Sequence, residues 1–307
     1  MNLRQLRYIS EIVRRDLNIS TAASALHTAQ PGISKQVRLL EDELGVPIFV
    51  RSRGRLSALT EEGARIVEFA NRALDEIDNI HSVGRERRRP ASRTLVIATT
   101  HTQARYVLPE ILKRYTRRHP TVRINLRHGD PAQIAALVAS GEADIGVTTG
   151  TGDNVKDLLA LLYRKMKRVI IVPRGHPLLQ RKRLTLKALA RYPLVTYEPQ
   201  FTGRRELMRA FEREGLTPTL FVSAIDADVI KTCVEQGLGI AVLSEVTYDP
   251  ERDTRLRAIP AGNLFEPSTT SVLLHRRRYL QQHAYDFVET CVPAWTKAQV
   301  QRMAGAR

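Results

Sequence analysis

Apolar positions in the first ninety residues step at helical spacing, and beyond residue 93 they gather into short runs separated by helical patterns. Leu3, Leu6, Tyr8, Ile9, Ile12 and Val13 predict a first helix ending near Arg15, broken by residues 16–18. Ser20 is the expected N-cap of a short helix over 21–26, whose Ala22, Ala23 and Ala25 let another helix approach closely. After a turn at 27–29 the next helix is expected over 30–44. Pro31 suits its first turn, Ile33, Val37, Leu40 and Leu44 form one stripe, and Gly45 stops it.

That order, helix, turn, helix, leaves Thr21 on the first member and Gln30, Pro31, Ser34, Lys35 and Arg38 on the outer face of the second. Amides, hydroxyls and cations there suit base edges and phosphates, so double-stranded DNA is the expected partner. The runs 48–50 and 56–59 bracket Arg51, Arg53 and Arg55, which reads as a small hairpin wing whose guanidinium groups hold phosphates or enter a minor groove. Thr60 should cap a longer helix running to about Val83, with Glu61 and Glu62 in its first turn. Within it Ile66, Ala70, Ala73, Ile77 and Ile80 step by four, three, four and three, a seam suited to pairing with a second copy of the chain. Packing of that seam on the chain's own wing is the alternative. The charged run 85–93, containing Pro90, reads as a hinge.

Strands are expected near 95–98, 122–126, 144–148, 169–172, 194–197, 220–223, 239–243 and 271–274, with helices over 103–118, 131–140, 204–214 and 226–236. The alternation predicts α/β units with largely parallel sheets, which bind ligands beyond the carboxyl ends of their strands. The first strand ends in such a place: "ATTHTQAR", 98–105, turns from an apolar run into hydroxyls, a histidine and an amide as a helix begins. Free N–H groups and neutral donors at a helix start suit a small oxyanion. Thr148 and Thr149, Thr202 to Arg204, and Asp226 to Asp228 end other stretches in similar chemistry, although Ser, Thr and Asp also serve there as ordinary caps.

Charge adds a less expected feature. The net charge is +16, yet residues 1–93 hold 16 Lys and Arg against 12 Asp and Glu, so most of the excess lies beyond the expected DNA-reading helix. The 307 residues, 43% hydrophobic, are enough for two or three folding units. No run approaches a membrane span and the first residues do not read as a signal peptide, so a cytoplasmic protein is expected. Cys233 and Cys291 lack metal-ligand spacing and are expected as reduced, mostly buried thiols.

The stretch "AASALHTAQPGISKQVRLLEDELGVPIFVR", followed by "LTEEG" and the long helix, resembles the LysR-type transcriptional regulators. "IATTHTQARYVLPE", "YPLVTYEPQFTGRREL" and "DADVIKTCVEQGLGIAV" narrow the resemblance to the branch typified by CysB and Cbl, which governs sulfur assimilation. The resemblance implies a winged helix-turn-helix over 1–59, a linker and dimerisation helix with hinge over 60–93, and a two-lobed, periplasmic-binding-protein-like effector domain over 94–307. Lobe I would hold about 94–163 and 270–292, lobe II about 164–269. It also implies a homodimer or homotetramer, RNA polymerase as a further partner, and an effector held by Thr100, Thr102, Gln103, Thr149 and Thr202 between the lobes. Sulfate, thiosulfate, acetylserine and adenosine phosphosulfate are the effectors to consider. Where CysB-type sequences tend to carry tryptophan this chain has Met166, which would reshape the cleft wall.

Catalysis is not expected. His101 beside threonines has no accompanying Gly-x-Ser-x-Gly elbow, phosphate loop, zinc spacing or paired carboxylates, and no cofactor or structural metal is implied. A LysR regulator of a catabolic pathway sensing an organic acid is the nearest alternative. A solute-binding protein is a more distant one, opposed by the N-terminal helix-turn-helix.

Overall fold

The computed structural model describes residues 1–52, 54–88, 93–150 and 157–305. The chain divides into two compact units, one of residues 1–88 with 277–279 and one of 89–276 with 280–307.

The first unit opens with α1 (Leu3–Arg14), capped reciprocally by Asn2 and Gln5, and burying Leu6, Ile9 and Ile12. Helix α2 (Ile19–Ala25) starts two residues earlier than Ser20 would set it. The Asn18 side chain accepts from the amides of Ser20 and Thr21 at 3.0 and 3.1 Å, so one amide oxygen satisfies two donors that a serine at position 20 would leave open. Helix α3 (Gln30–Leu44) has the expected limits, with Gly45 at φ 71° ending it. Its buried stripe is Ile33, Val37 and Leu40; Leu44 stays largely exposed because the chain leaves the core at that glycine. Strands β1 (Phe49–Ser52) and β2 (Arg55–Leu59) form the antiparallel hairpin.

Helix α4 (Glu61–Arg88) is longer than expected and runs into the segment read as a hinge, Arg85 to Arg88. At its start the Thr60 hydroxyl accepts from the Gly63 amide at 2.8 Å and donates to the Pro47 carbonyl at 2.6 Å. Gly63 sits so close to the wing that a Cβ there would lie 2.0 Å from the Ile48 carbonyl oxygen. Gly63→Ala should therefore force α4 away from β1 and destabilise the first unit by about 1–3 kcal/mol, a typical cost of overpacking. A urea melt of the first unit checks this, and an unchanged midpoint would show that the contact yields freely. The apolar seam on α4 divides: Ala70 is buried with Val67 in the core of α1–α3, Ile66 is partly buried against it, and Ala73 and Ile80 face away.

The second unit runs β3 (Arg93–Thr99), α5 (His101–Tyr106), α6 (Leu108–Arg118), β4 (Val122–His128), α7 (Pro131–Ser140), β5 (Ile145–Thr149) and β6 (Leu158–Met166). The helix expected over 103–118 is two helices, because Pro109 has no N–H with which to continue the ladder across Val107. The chain then forms β7 (Arg168–Pro173), a 3-10 turn (Pro177–Gln180), α8 (Leu186–Leu189), β8 (Leu194–Tyr197), α9 (Thr202–Arg213), β9 (Leu220–Ala224), α10 (Ala227–Glu235), β10 (Ala241–Ser244) and β11 (Leu256–Pro260). It closes with β12 (Ser268–His275), α11 (Gln282–Cys291) and α12 (Lys297–Gly305). Lobe I is a five-stranded sheet in the order β4-β3-β5-β12-β6; lobe II contains β10-β7-β11 and the parallel pair β8-β9.

The sheets are mixed, not largely parallel. Strand β3 runs parallel to β4 and β5, but β12 is antiparallel to both neighbours, as β7 is in lobe II. These two strands arrive directly from the other lobe, through Lys167 and through residues 261–267, with no crossover helix to restore a parallel direction. Strands β6 and β11 were not expected; β6 has no alternation to mark it, since its first four positions are nearly all buried and its later ones mostly exposed. Leu95, Ile97, Leu108, Tyr115 and Phe287 anchor the core of lobe I, and Ile170, Leu189, Leu194, Phe211 and Ile240 that of lobe II. Cys291 is a buried free thiol whose pKa burial pushes up, and Cys233 is a partly buried one. No helix of the described residues is long and apolar enough to cross a membrane.

Candidate functional site

Two surfaces carry the residues singled out by sequence. On the first unit, Thr21, Gln30, Pro31, Lys35 and Arg38 are exposed and Ser34 is partly exposed, all on α2 and α3. Ala29 supplies no side-chain cap to α3; Pro31 has no N–H, and the Gly32 and Ile33 amides bond the Ala29 carbonyl at 3.0 and 3.3 Å. Gln30 donates to the Ser34 hydroxyl at 3.3 Å, and Thr21 donates to the Asn18 carbonyl at 3.1 Å. On the wing, Arg55 is exposed and Gly54 turns the hairpin at φ 78°. Arg51 does not stand free beside it: its guanidinium bonds Glu41 at 2.8 Å, and the same carboxylate accepts from the amides of Ile48 and Phe49. That ion pair fastens the wing to α3. Arg53 lies outside the described residues.

In the second unit, a pocket between the lobes is lined by Thr100, Thr102, Thr149, Met166 and Thr202 together with His101, Arg168, Tyr197, Ser244 and Ser268. Its free volume is about 40 Å³, room for a few waters or one small oxyanion. Two hydrogen bonds cross it. Thr202 Oγ1 donates to the Thr149 carbonyl at 3.1 Å, and Thr102 Oγ1 lies 3.3 Å from the Tyr197 hydroxyl. Tyr197 is buried, which pushes its pKa up and keeps it a neutral donor. Thr100 is itself the cap of α5, accepting from the Gln103 amide at 3.4 Å.

Gln103 is not among the residues that line the pocket. It is fully buried, with Nε2 donating to Thr270 Oγ1 at 3.1 Å and approaching Met166 Sδ at 3.8 Å. It supports the wall where Met166 packs. Sequence reasoning missed Arg168, Ser244 and Ser268. Arg168 is 6% exposed at the first position of β7 and bonds Glu206. The hydroxyls of Ser244 and Ser268 are buried with no hydrogen-bond partner. Phe201 offers no side-chain cap to α9, whose first residues, Thr202 and Gly203, also line the pocket. Several donors and one guanidinium thus converge on a space with no carboxylate among its lining residues.

Beside the pocket, Asp226 caps α10 through the Val229 amide at 2.8 Å. Asp228 receives the Tyr106 hydroxyl and lies 3.4 Å from Arg105 and 3.8 Å from Lys231. Partial burial alone would raise the Asp228 carboxyl. The Tyr106 bond and the charges of Lys231, Arg105 and His101 outweigh it and hold the carboxyl below its ordinary range. His101, Asp226 and Asp228 can bring ligand atoms within 4.8 Å of one another, but two cations already neutralise Asp228 and make the group a poor metal site. It ties α5 of lobe I to α10 of lobe II.

Comparison with known proteins matches both parts of the chain. The family described as "Bacterial regulatory helix-turn-helix protein, lysR family" matches residues 3–64, and "LysR substrate binding domain" matches 88–296. The chain is 43% identical to the HTH-type transcriptional regulator SsuR of Burkholderia cenocepacia over 300 residues, 98% of this chain and 97% of that one. It is 41% identical to CysB of the same organism over 302 residues, covering 98% and 96% of the two chains. To the regulator cbl of Escherichia coli it is 40% identical over 291 residues, covering 95% and 92%. The crystal structure of the cofactor-binding domain of the Cbl transcriptional regulator superposes with a TM-score of 0.68 at 37% identity, covering 70% of this chain and 95% of that one. Full-length BenM shares the fold, with a TM-score of 0.57 at 24% identity over 95% of both chains.

Proposed function

Because this chain belongs to the LysR family of bacterial transcriptional regulators, we propose that it controls sulfur-assimilation and cysteine-biosynthesis genes by sensing a small oxyanion between its effector lobes. The observation that carries the sensing half is the pair of partnerless buried hydroxyls, Ser244 and Ser268, beside a buried Arg168 in a space of about 40 Å³. Buried donors without partners are rare, and an oxyanion would satisfy them. Sulfate or thiosulfate fits that volume. Acetylserine would need the lobes to part slightly, and adenosine phosphosulfate, which carries a nucleoside, would need them to part much further. Likeness to the CysB and Cbl branch supports the sulfur assignment.

Helix α3 reads the promoter, and the wing holds phosphates. Phe69, Ile80 and Val83 are 58%, 70% and 49% exposed and fall with Ala73 along one side of α4, a stripe that a second copy of α4 would cover. Paired dimers then form a tetramer on spaced half-sites in the cytoplasm and act with RNA polymerase. An effector that favours one arrangement of the lobes shifts the population of the bound states and so the bend of the DNA.

A thermal-shift screen of the full chain tests the sensing half, since a ligand at 100 times its Kd adds about 2.7 kcal/mol to the folded state. Sulfate or thiosulfate should give the largest shift. A shift with an aromatic acid and none with any sulfur compound would overturn it in favour of a catabolic regulator. For the reading half, Arg38→Ala should weaken binding to duplexes selected from a random-sequence pool by about 1–3 kcal/mol and relax the preference for them. Unaltered selectivity would remove Arg38 from the base-reading set.

A further inference from the structure

Residues 158–197 contain ten Lys and Arg and no Asp or Glu. With 32 acids in 307 residues, a stretch of that length would hold about four, so the bias is local. It accounts for most of the positive excess that lies beyond the DNA-reading unit. Six of the ten, Arg174, Arg181, Lys182, Arg183, Lys187 and Arg191, are exposed on lobe II. The apolar residues between them explain why. Leu178, Leu184, Leu186, Ala188 and Leu189 turn into the core of lobe II, which leaves the intervening cations pointing to solvent.

Folding gathers these positions. The His176 ring accepts from the Leu178 amide at 3.2 Å and packs on Tyr192 with centroids 4.6 Å apart, which sets the turn after Arg174 beside Arg191. The Arg181 amide bonds the Leu178 carbonyl, and the Arg174 amide bonds the Arg255 carbonyl at 2.8 Å, adding another exposed guanidinium. Among the described residues none of these seven cations is ion-paired, whereas Arg213 and Arg252 on the same lobe lie against Glu266 and Asp249.

We propose that this face of lobe II binds the phosphate backbone of duplex DNA without reading its sequence, so that the effector domain is itself a DNA contact. The proposal rests on the DNA-binding reading of α3. Seven uncompensated cations repel one another, and a polyanion carrying one charge per about 1.7 Å relieves that repulsion. Five of the seven are arginines, whose planar fork suits phosphate oxygens. A protein partner would call for an apolar or aromatic centre with charges at the rim, and between these cations Leu179 is the large apolar side chain exposed.

The test uses the full chain and a 60-base-pair duplex of arbitrary sequence, with affinity followed across a salt series. The variant carrying Arg181→Gln, Lys182→Gln and Arg183→Gln should bind at least about tenfold more weakly near 0.1 M salt. Its log–log salt slope should fall by about two to three, close to 0.9 for each phosphate no longer neutralised. A control with Arg209→Gln, Arg213→Gln and Arg252→Gln removes equal charge from other parts of lobe II and should keep the wild-type slope, with thermal melts confirming that both variants fold. Equal losses in the two variants would overturn the proposal by reducing the effect to overall charge. Full binding by the first variant would also overturn it and would turn the surface toward an acidic protein. A wild-type chain that holds no duplex at all would bring down the DNA-binding reading beneath it.

Discussion

Arg168→Met should weaken sulfate binding by roughly 10- to 150-fold, the loss of one charge-assisted hydrogen bond of about 1.5–3 kcal/mol. Arg168 is the cation that lines the pocket, and its guanidinium lies 3.4 Å from where a Cβ on Gly203 would stand, at the first turn of α9. Methionine keeps the length and much of the volume of the stem, so the cleft wall should stay in place. Glu206, the present partner of Arg168, is 39% exposed and recovers water when the guanidinium goes, which keeps the substitution from unfolding lobe II. The complementary change has the opposite sign. Glu206→Gln removes the anion with which sulfate must share Arg168, and affinity should rise several-fold. Isothermal titration of the full chain with sulfate reads both, and equal affinity in wild type and Arg168→Met would mean that hydroxyls and helix amides alone hold the anion.

Local features were legible in the sequence where chemistry marks both ends of an element. Helix α3 begins at a proline and ends at a glycine with positive φ, α7 begins at an Asp130–Gln133 capping box with Pro131 and ends at Gly141, and both have the limits that pattern predicts. Thr100, Thr102, Thr149 and Thr202 reach one pocket because each stands at a strand or helix end on the same rim. What pairs those ends was not legible. Thr102 meets Tyr197 and Thr202 meets Thr149 across 95 and 53 residues of chain, and no local spacing encodes either partner. Arg168 carries no signal of its own: one arginine opening an apolar strand looks like a charge at a strand end until Glu206 and α9 fold over it. Gln103 lies off the pocket lining for a geometric reason. It sits one residue past Thr102, and one helical step of about 100° turns it from the cleft to the buried side, where Thr270 and Met166 receive it. The seam of α4 divides because Ile66 and Ala70 pack on the core of α1–α3, whereas Ala73 and Ile80 are left exposed.

Asp253→Ala should lower the melting midpoint of the second unit by roughly 10 °C, from a loss of about 3–5 kcal/mol. Lys231 and Asp253 are both 8% exposed, and Lys231 Nζ bonds the two carboxylate oxygens at 2.9 and 3.0 Å. Removing the carboxylate strands a buried ammonium that keeps only the Tyr106 ring at 5.3 Å and Asp228 at 3.8 Å. The damage comes from the weakly paired buried charge left behind more than from the lost bond, so taking both charges away should be milder than taking one. Lys231→Met with Asp253→Leu should recover most of the midpoint, and a double variant as unstable as Asp253→Ala would show that packing dominates instead. The same pair bears on the sensor. Lys231 supports Asp228, Asp228 holds Tyr106, and Tyr106 ends the helix whose first turn brings Thr102 to the pocket. A stranded Lys231 that draws Asp228 toward itself should loosen this tie between the lobes, so Asp253→Ala should lose sulfate affinity as well as stability, even where Thr102, Thr202 and Arg168 are intact.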